Sequence, residues 1–92
     1  MVVAKSWANR PDNLGRTPLH FASGTRDTTL MLRVGADPNT QDNLGRTPLH
    51  YTKTLETAAL MLAAGADASI KDCYGYAPSH YNATILQYFY FQ

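Results

Sequence analysis

Three histidines, His20, His50 and His80, stand thirty residues apart, and three aspartates, Asp12, Asp42 and Asp72, keep the same spacing. Histidines in that number could hold a zinc ion through imidazole nitrogens at about 2 Å. Grouped carboxylates could share acid–base work. Cys73, seven residues before His80, could act as a nucleophile if an oriented base and a water-excluded site surrounded it. No HExxH, no phosphate-cradling glycine loop and no Ser-His-Asp set accompanies them. Whether these groups ever meet depends on the elements that carry them.

Composition narrows the choice. The 92 residues correspond to one small domain. A cleft between two enzyme lobes is excluded, and about two thirds of the unfolded surface is the most such a chain can bury. Hydrophobic residues make up 45% and charged residues 16%. The chain is therefore globular, with fewer solubilising charges than most domains, and partly buried faces or partners are expected. Eight basic and seven acidic residues leave a net charge of +1. That is no basic footprint for nucleic acid. A single cysteine excludes an internal disulfide. No secretory leader and no membrane-spanning run is recognisable. These features point to a reduced, intracellular, cytoplasmic protein that binds neither nucleic acid nor membrane.

The spacing of thirty is a repeat. Residues 12–22 read DNLGRTPLHFA and residues 42–52 read DNLGRTPLHYT; residues 72–82, DCYGYAPSHYN, keep Asp, Gly, Pro, His and Tyr. Leu30-Met31-Leu32 precedes Gly35-Ala36-Asp37, and Leu60-Met61-Leu62 precedes Gly65-Ala66-Asp67, at the same offset. Gly15, Gly45 and Gly75 suit a tight turn before a helix. Thr17 and Thr47 suit its N-cap, and Pro18, Pro48 and Pro78 its first position. A short helix is expected over Leu19–Ser23 and Leu49–Leu55. A second carries the Leu-Met-Leu run and stops at Gly35 or Gly65, which fit the C′ position. The stretch Ala36–Leu44, rich in Asp, Pro, Asn and Thr, suits a hairpin loop.

Gly-x-Thr-Pro-Leu-His at 15–20 and 45–50, followed by Gly-Ala-Asp-x-Asn, resembles the ankyrin repeat over residues 9–92. The resemblance implies an all-α, ankyrin-type helix-turn-helix solenoid with hairpin loops and about three repeats. Its parts would be an N-terminal cap and partial hairpin at 1–11, repeats at 12–41 and 42–71, and a divergent capping repeat at 72–92. The period is 30 rather than the usual 33, and the loss falls between His and Gly-Ala-Asp. Asp27-Thr28 and Thr57-Ala58 stand where the family has an Ile-Val pair. Shorter helices and a tighter inter-helix turn follow. In the third repeat Ala77 replaces Thr and Ser79 replaces Leu, so this repeat is expected to be the weakest unless its aromatics compensate.

Stacked helices lie roughly 10 Å apart, too far for equivalent histidines to share a metal. The resemblance implies instead that each His hydrogen-bonds the Thr of its own motif and the backbone of the adjacent repeat. The aspartates become turn residues, one per repeat. No cofactor, metal or catalytic residue is assigned. Asn82-Ala83-Thr84 matches a glycosylation sequon but lies on an expected helix and is read as chance.

In the ankyrin family, partners usually bind the concave face of hairpins and inner helices. Carried onto this chain, that face comprises Asn13, Leu14, Arg16, Gln41, Asn43, Leu44, Arg46, Lys71, Cys73, Tyr74 and Tyr76, with Ser23, Lys53 and Thr54 on the inner helices. The partner-binding set is Leu14, Arg16, Asn43, Leu44, Arg46, Lys53, Tyr74 and Tyr76. Leu and Tyr would be anchors, and Arg16 and Arg46 would steer towards acidic partner groups. The alternative is a homodimer through the aromatic end, Tyr88, Phe89, Tyr90 and Phe91. Those rings could equally fill the core of the third repeat.

Overall fold

The computed structural model describes residues 7–90. The expected N-terminal cap lies outside it except for its last residues, and Phe91 lies outside it altogether. Among the described residues the elements are all helical. Inner elements η1 (Pro18–Phe21), η2 (Pro48–Tyr51) and α3 (Pro78–Tyr81) alternate with outer helices α1 (Thr25–Arg33), α2 (Leu55–Ala63) and α4 (Ile85–Tyr90). Inner elements pack on inner ones, η1 on η2 and η2 on α3, while α1 packs on α2 and α2 on α4. The result is a two-layer stack of 38 × 27 × 18 Å.

The inner elements are shorter than the sequence suggests. η1 and η2 are single 3₁₀ turns that end at Phe21 and Tyr51, not helices reaching Ser23 and Leu55. The cause lies in the caps of the outer helices. Gly24, at φ 87°, and Thr54, which accepts the Thr57 N–H with its hydroxyl, already occupy the N-caps of α1 and α2. With three residues fewer than the usual period, no room remains for a second inner turn.

Helices α1 and α2 end as expected. Gly35, at φ 98°, donates to the Leu32 carbonyl and Ala36 donates to that of Met31. Gly65 and Ala66 repeat the pattern on Leu62 and Met61. This is the six-to-one, five-to-two closure of a Schellman motif, and it needs a residue tolerant of positive φ. The core is thin and small-sided. Leu19, Leu49, Met61 and Ile85 are its large members, filled in by Ala8, Ala36 and Ala58. Thr28 is fully enclosed in α1 and bonds the Gly24 carbonyl at 2.9 Å, so a short polar residue replaces a large apolar one without an unpaired hydroxyl. In the third repeat Ile85 fills the core, Tyr88 is half-buried, and Phe89 and Tyr90 face outward.

Candidate protein-binding surface

Each hairpin tip is built around its aspartate. Oδ1 of Asp42 accepts the backbone N–H of Leu44 at 3.0 Å and of Arg46 at 2.9 Å. Asp12 and Asp72 do the same for Leu14 and Arg16, and for Tyr74 and Tyr76. An aspartate closes such a turn because its carboxylate reaches backbone donors two and four residues on. Asp42 and Asp72 are buried yet sit below the ordinary carboxylate range. Burial pushes each up but is outweighed by its tyrosine hydroxyl, Tyr51 or Tyr81, and by the backbone donors, with Arg46 adding to the effect on Asp72. The aspartates are turn anchors.

The tips are tied to one another. The Asn43 N–H donates to the Leu14 carbonyl and the Cys73 N–H to the Leu44 carbonyl, each at 2.8 Å. The tips approach so closely that a Cβ on Gly45 would lie 3.1 Å from the Cys73 nitrogen. The histidines form a second tie. The backbone N–H of Thr17 donates to Nδ1 of His20 at 2.9 Å, so Nδ1 is the bare nitrogen and Nε2 carries the proton. That proton is donated to the Arg46 carbonyl at 3.0 Å. His50 repeats the arrangement between Thr47 and the Tyr76 carbonyl. Burial holds the His50 pKa below its ordinary value. His80 is exposed and has Ala77 in place of the threonine; its ring stacks on Tyr76 at 3.8 Å.

These ties set out a row of apolar side chains along the hairpins. Leu14 is 53% exposed, Leu44 40% and Tyr74 63%. Asn43 is exposed beside them, its amide on the Asn13 carbonyl. Tyr76 is exposed but committed to His80. Lys53 is exposed on a groove of about 450 Å³ that it shares with Phe21, Ser23, Tyr51 and Thr54. Tyr51 is the wall between this groove and the hairpin row.

The two arginines are placed differently from each other. Arg16 folds back on its own hairpin, 3.1 Å from Asp12 Oδ2 and 4.7 Å above the ring of Phe21. Arg46 crosses to the next repeat. Its Nε meets Asp72 Oδ2 at 3.3 Å, its Nη2 donates to the Tyr81 hydroxyl at 3.2 Å, and its guanidinium lies 4.9 Å over the Tyr81 ring. Those partners raise its pKa further, the Tyr81 bond most. Both guanidinium groups are therefore balanced within the fold.

Two sets of residues escaped the sequence reading. Asn9 and Asn39 each bridge to the next repeat: Asn39 donates to the Gly65 carbonyl at 3.0 Å and accepts the Asp67 N–H at 2.7 Å, and Asn9 does the same with Gly35 and Asp37. The hydroxyls of Tyr51 and Tyr81 donate to the aspartates nine residues before them. The signal available was the recurrence of Asn and of Tyr in register. Asn82, the sequon residue, is buried against Thr52 and the Thr54 carbonyl.

Residues 14–43 match the family model of the ankyrin repeat, a span of one full period. No curated protein matches the chain. No helix among the described residues is long and apolar enough to cross a membrane.

Proposed function

Starting from an ankyrin-repeat solenoid, we propose that this chain binds another protein through its hairpin tips and the adjoining inner face. Ankyrin repeats are generally protein–protein interaction modules and are typically non-catalytic. The carrying observation is the row Leu14, Leu44 and Tyr74, three exposed apolar side chains one repeat apart on a backbone held by inter-hairpin hydrogen bonds. A rigid row loses little entropy on binding. Asn43, Lys53 and Tyr76 flank it, and Arg16 and Arg46 lie between the tips. Because both arginines are already paired, Lys53 is the member of the set with no acidic partner within ion-pair reach among the described residues. It supplies the steering charge for an acidic group on the partner. The surroundings that suit a free, exposed Cys73 are reducing and cytoplasmic.

The test is affinity capture followed by a measured titration of the captured protein. A Leu44→Ser/Tyr74→Ser variant should fold normally, since both side chains are exposed, and should bind at least tenfold more weakly. Unchanged affinity would overturn the reading.

A second reading rests on α4, where Phe89 is 54% and Tyr90 79% exposed. Two copies burying these rings would form a symmetric dimer. Light scattering distinguishes them: a mass near 10.2 kDa at every concentration removes the dimer, and a concentration-dependent rise to about twice that supports it.

A further inference from the structure

The repeat supplies its own template for a ligand. Between the second and third tips the space is filled by the Arg46 guanidinium, lodged between Asp72 Oδ2, the Tyr81 hydroxyl and the Tyr81 ring. Between the first and second tips the corresponding groups are all present. Asp42 is buried, its Oδ1 spent on two backbone donors and its Oδ2 on the Tyr51 hydroxyl, as in Asp72. Arg16 does not enter the space there, being drawn back to Asp12, and the guanidinium nearest Tyr51 is that of Arg46, 6.0 Å from its ring centroid. The reason lies at one position. Phe21 stands where the other repeats have Tyr51 and Tyr81, so Asp12 has no phenol to satisfy its Oδ2 and takes Arg16 instead. What remains is a cavity of about 200 Å³ lined by Leu14, Arg16, Asp42, Asn43, Leu44 and Tyr51. Among the described residues no cation forms an ion pair with Asp42.

We propose that this cleft is a receptor for one arginine side chain of a protein partner. The guanidinium would bond Asp42 Oδ2 and the Tyr51 hydroxyl and lie over the Tyr51 ring, as Arg46 does with Asp72 and Tyr81. Leu14 and Leu44 would flank its methylenes. The space is smaller than the roughly 300–1,000 Å³ of small-molecule sites and suits a single side chain. A guanidinium fits better than an ammonium, because a planar donor fork can serve a carboxylate and a hydroxyl together while stacking on a ring. A buried carboxylate held ionised gains from a cation that water does not fully screen. The inference deepens the protein-binding reading by naming what the partner brings to the first pair of tips.

The probe is N-acetyl-arginine amide, titrated into the full chain and followed by amide NMR shifts. The neutral urea isostere, N-acetyl-citrulline amide, and N-acetyl-lysine amide serve as controls. Saturable shifts in the millimolar range should appear at Leu14, Asn43, Leu44 and Tyr51. They should weaken with salt, and be absent with citrulline and several-fold weaker with lysine. Tyr51→Phe takes the phenol from Asp42, as Phe21 leaves Asp12 without one; Arg46 then turns onto Asp42, and binding of the probe should be abolished. Phe21→Tyr lies outside the cleft. It gives Asp12 a phenol, frees Arg16 to enter the cleft, and should abolish binding of the probe. Arg16→Gln removes that internal competitor and should bind at least as well as wild type. Equal shifts with citrulline, or none with wild type and none with Arg16→Gln, would overturn the inference. The broader reading is decided separately. A partner captured through Leu44 and Tyr74 with no arginine response sinks only the cleft. An arginine response with partner affinity indifferent to Leu44 and Tyr74 sinks the broader reading and leaves the cleft standing.

Discussion

The seam between the second and third repeats is closed by Arg46, whereas the seam between the first and second carries an open cleft at the same place. Both share the backbone tie between tips and the histidine tie. The difference starts from a single hydroxyl. Tyr51 gives Asp42 a phenol, and Arg46 crosses to Asp72 and Tyr81, while Phe21 offers Asp12 none and Arg16 turns inward. Identical Gly-Arg-Thr-Pro-Leu-His motifs thus place the same side chain on opposite sides of its hairpin. In repeat proteins a motif fixes the backbone, but the side chains answer to the neighbouring repeat.

Several substitutions sharpen or break this comparison. The largest effect is expected at Leu49, fully enclosed where both seams meet. Leu49→Ala should cost about 3–5 kcal/mol, enough to abolish a cooperative transition in so small a stack. A clear two-state melt within a few degrees of wild type would show that the seams do not share one core. Next come the tip glycines. Gly45 and Gly75 have φ values of 77° and 86°, but a Cβ on Gly45 would meet the backbone of Asp72 and Cys73, and one on Gly75 would meet nothing within 4 Å. Gly75→Ala should therefore cost only the left-handed backbone strain, about 1–2 kcal/mol. Gly45→Ala adds displacement of the next tip, for about 2–4 kcal/mol in all. Equal losses in urea titrations would mean that the tips are not in firm contact.

The pH dependence is smaller. The His50 pKa is depressed, chiefly because burial disfavours the imidazolium. A proton on Nδ1 would also displace the Thr47 N–H that donates to it. On acidification the unfolded chain binds that proton first. The contribution is complete above about pH 6.5, declines as pH falls towards the folded pKa, and is fully lost below it. The melting temperature should drop between pH 7 and 5, ahead of the separate loss below about pH 4 when the carboxylates of Asp42 and Asp72 take up protons. A flat profile from 7 to 5 would remove His50 from the account.

Much of this was readable from the residues. The period, the positive-φ glycines, the Schellman ends at Gly35 and Gly65 and the turn role of Asp42 follow from spacing and residue type, whereas the ties of His50 to Thr47 and to the next repeat were implied by the resemblance. The divergence of the third repeat showed as Ser79 and Ala77. Propensity extends the inner helices through Ser23 and Leu55, and only the N-caps of the outer helices at Gly24 and Thr54 stop them. The direction of Arg16 and Arg46 was not readable. It depends on a phenol nine residues from an aspartate and on which hairpin that aspartate belongs to, so it exists only once the repeats are stacked.

The most direct test is a paired denaturation of Arg16→Ala and Arg46→Ala. Arg46 leaves a buried carboxylate and a tyrosine hydroxyl behind. Solvent access to its side chain keeps the cost below that of a fully buried pair, so about 1–2 kcal/mol is expected. Arg16 leaves an exposed aspartate within its own turn, and its removal should cost under about 0.5 kcal/mol. That inequality is what an Arg46 clamp and an uncommitted first seam require. Equal losses, or a larger loss at Arg16, would mean that the two seams are chemically alike and that the cleft is already filled from within.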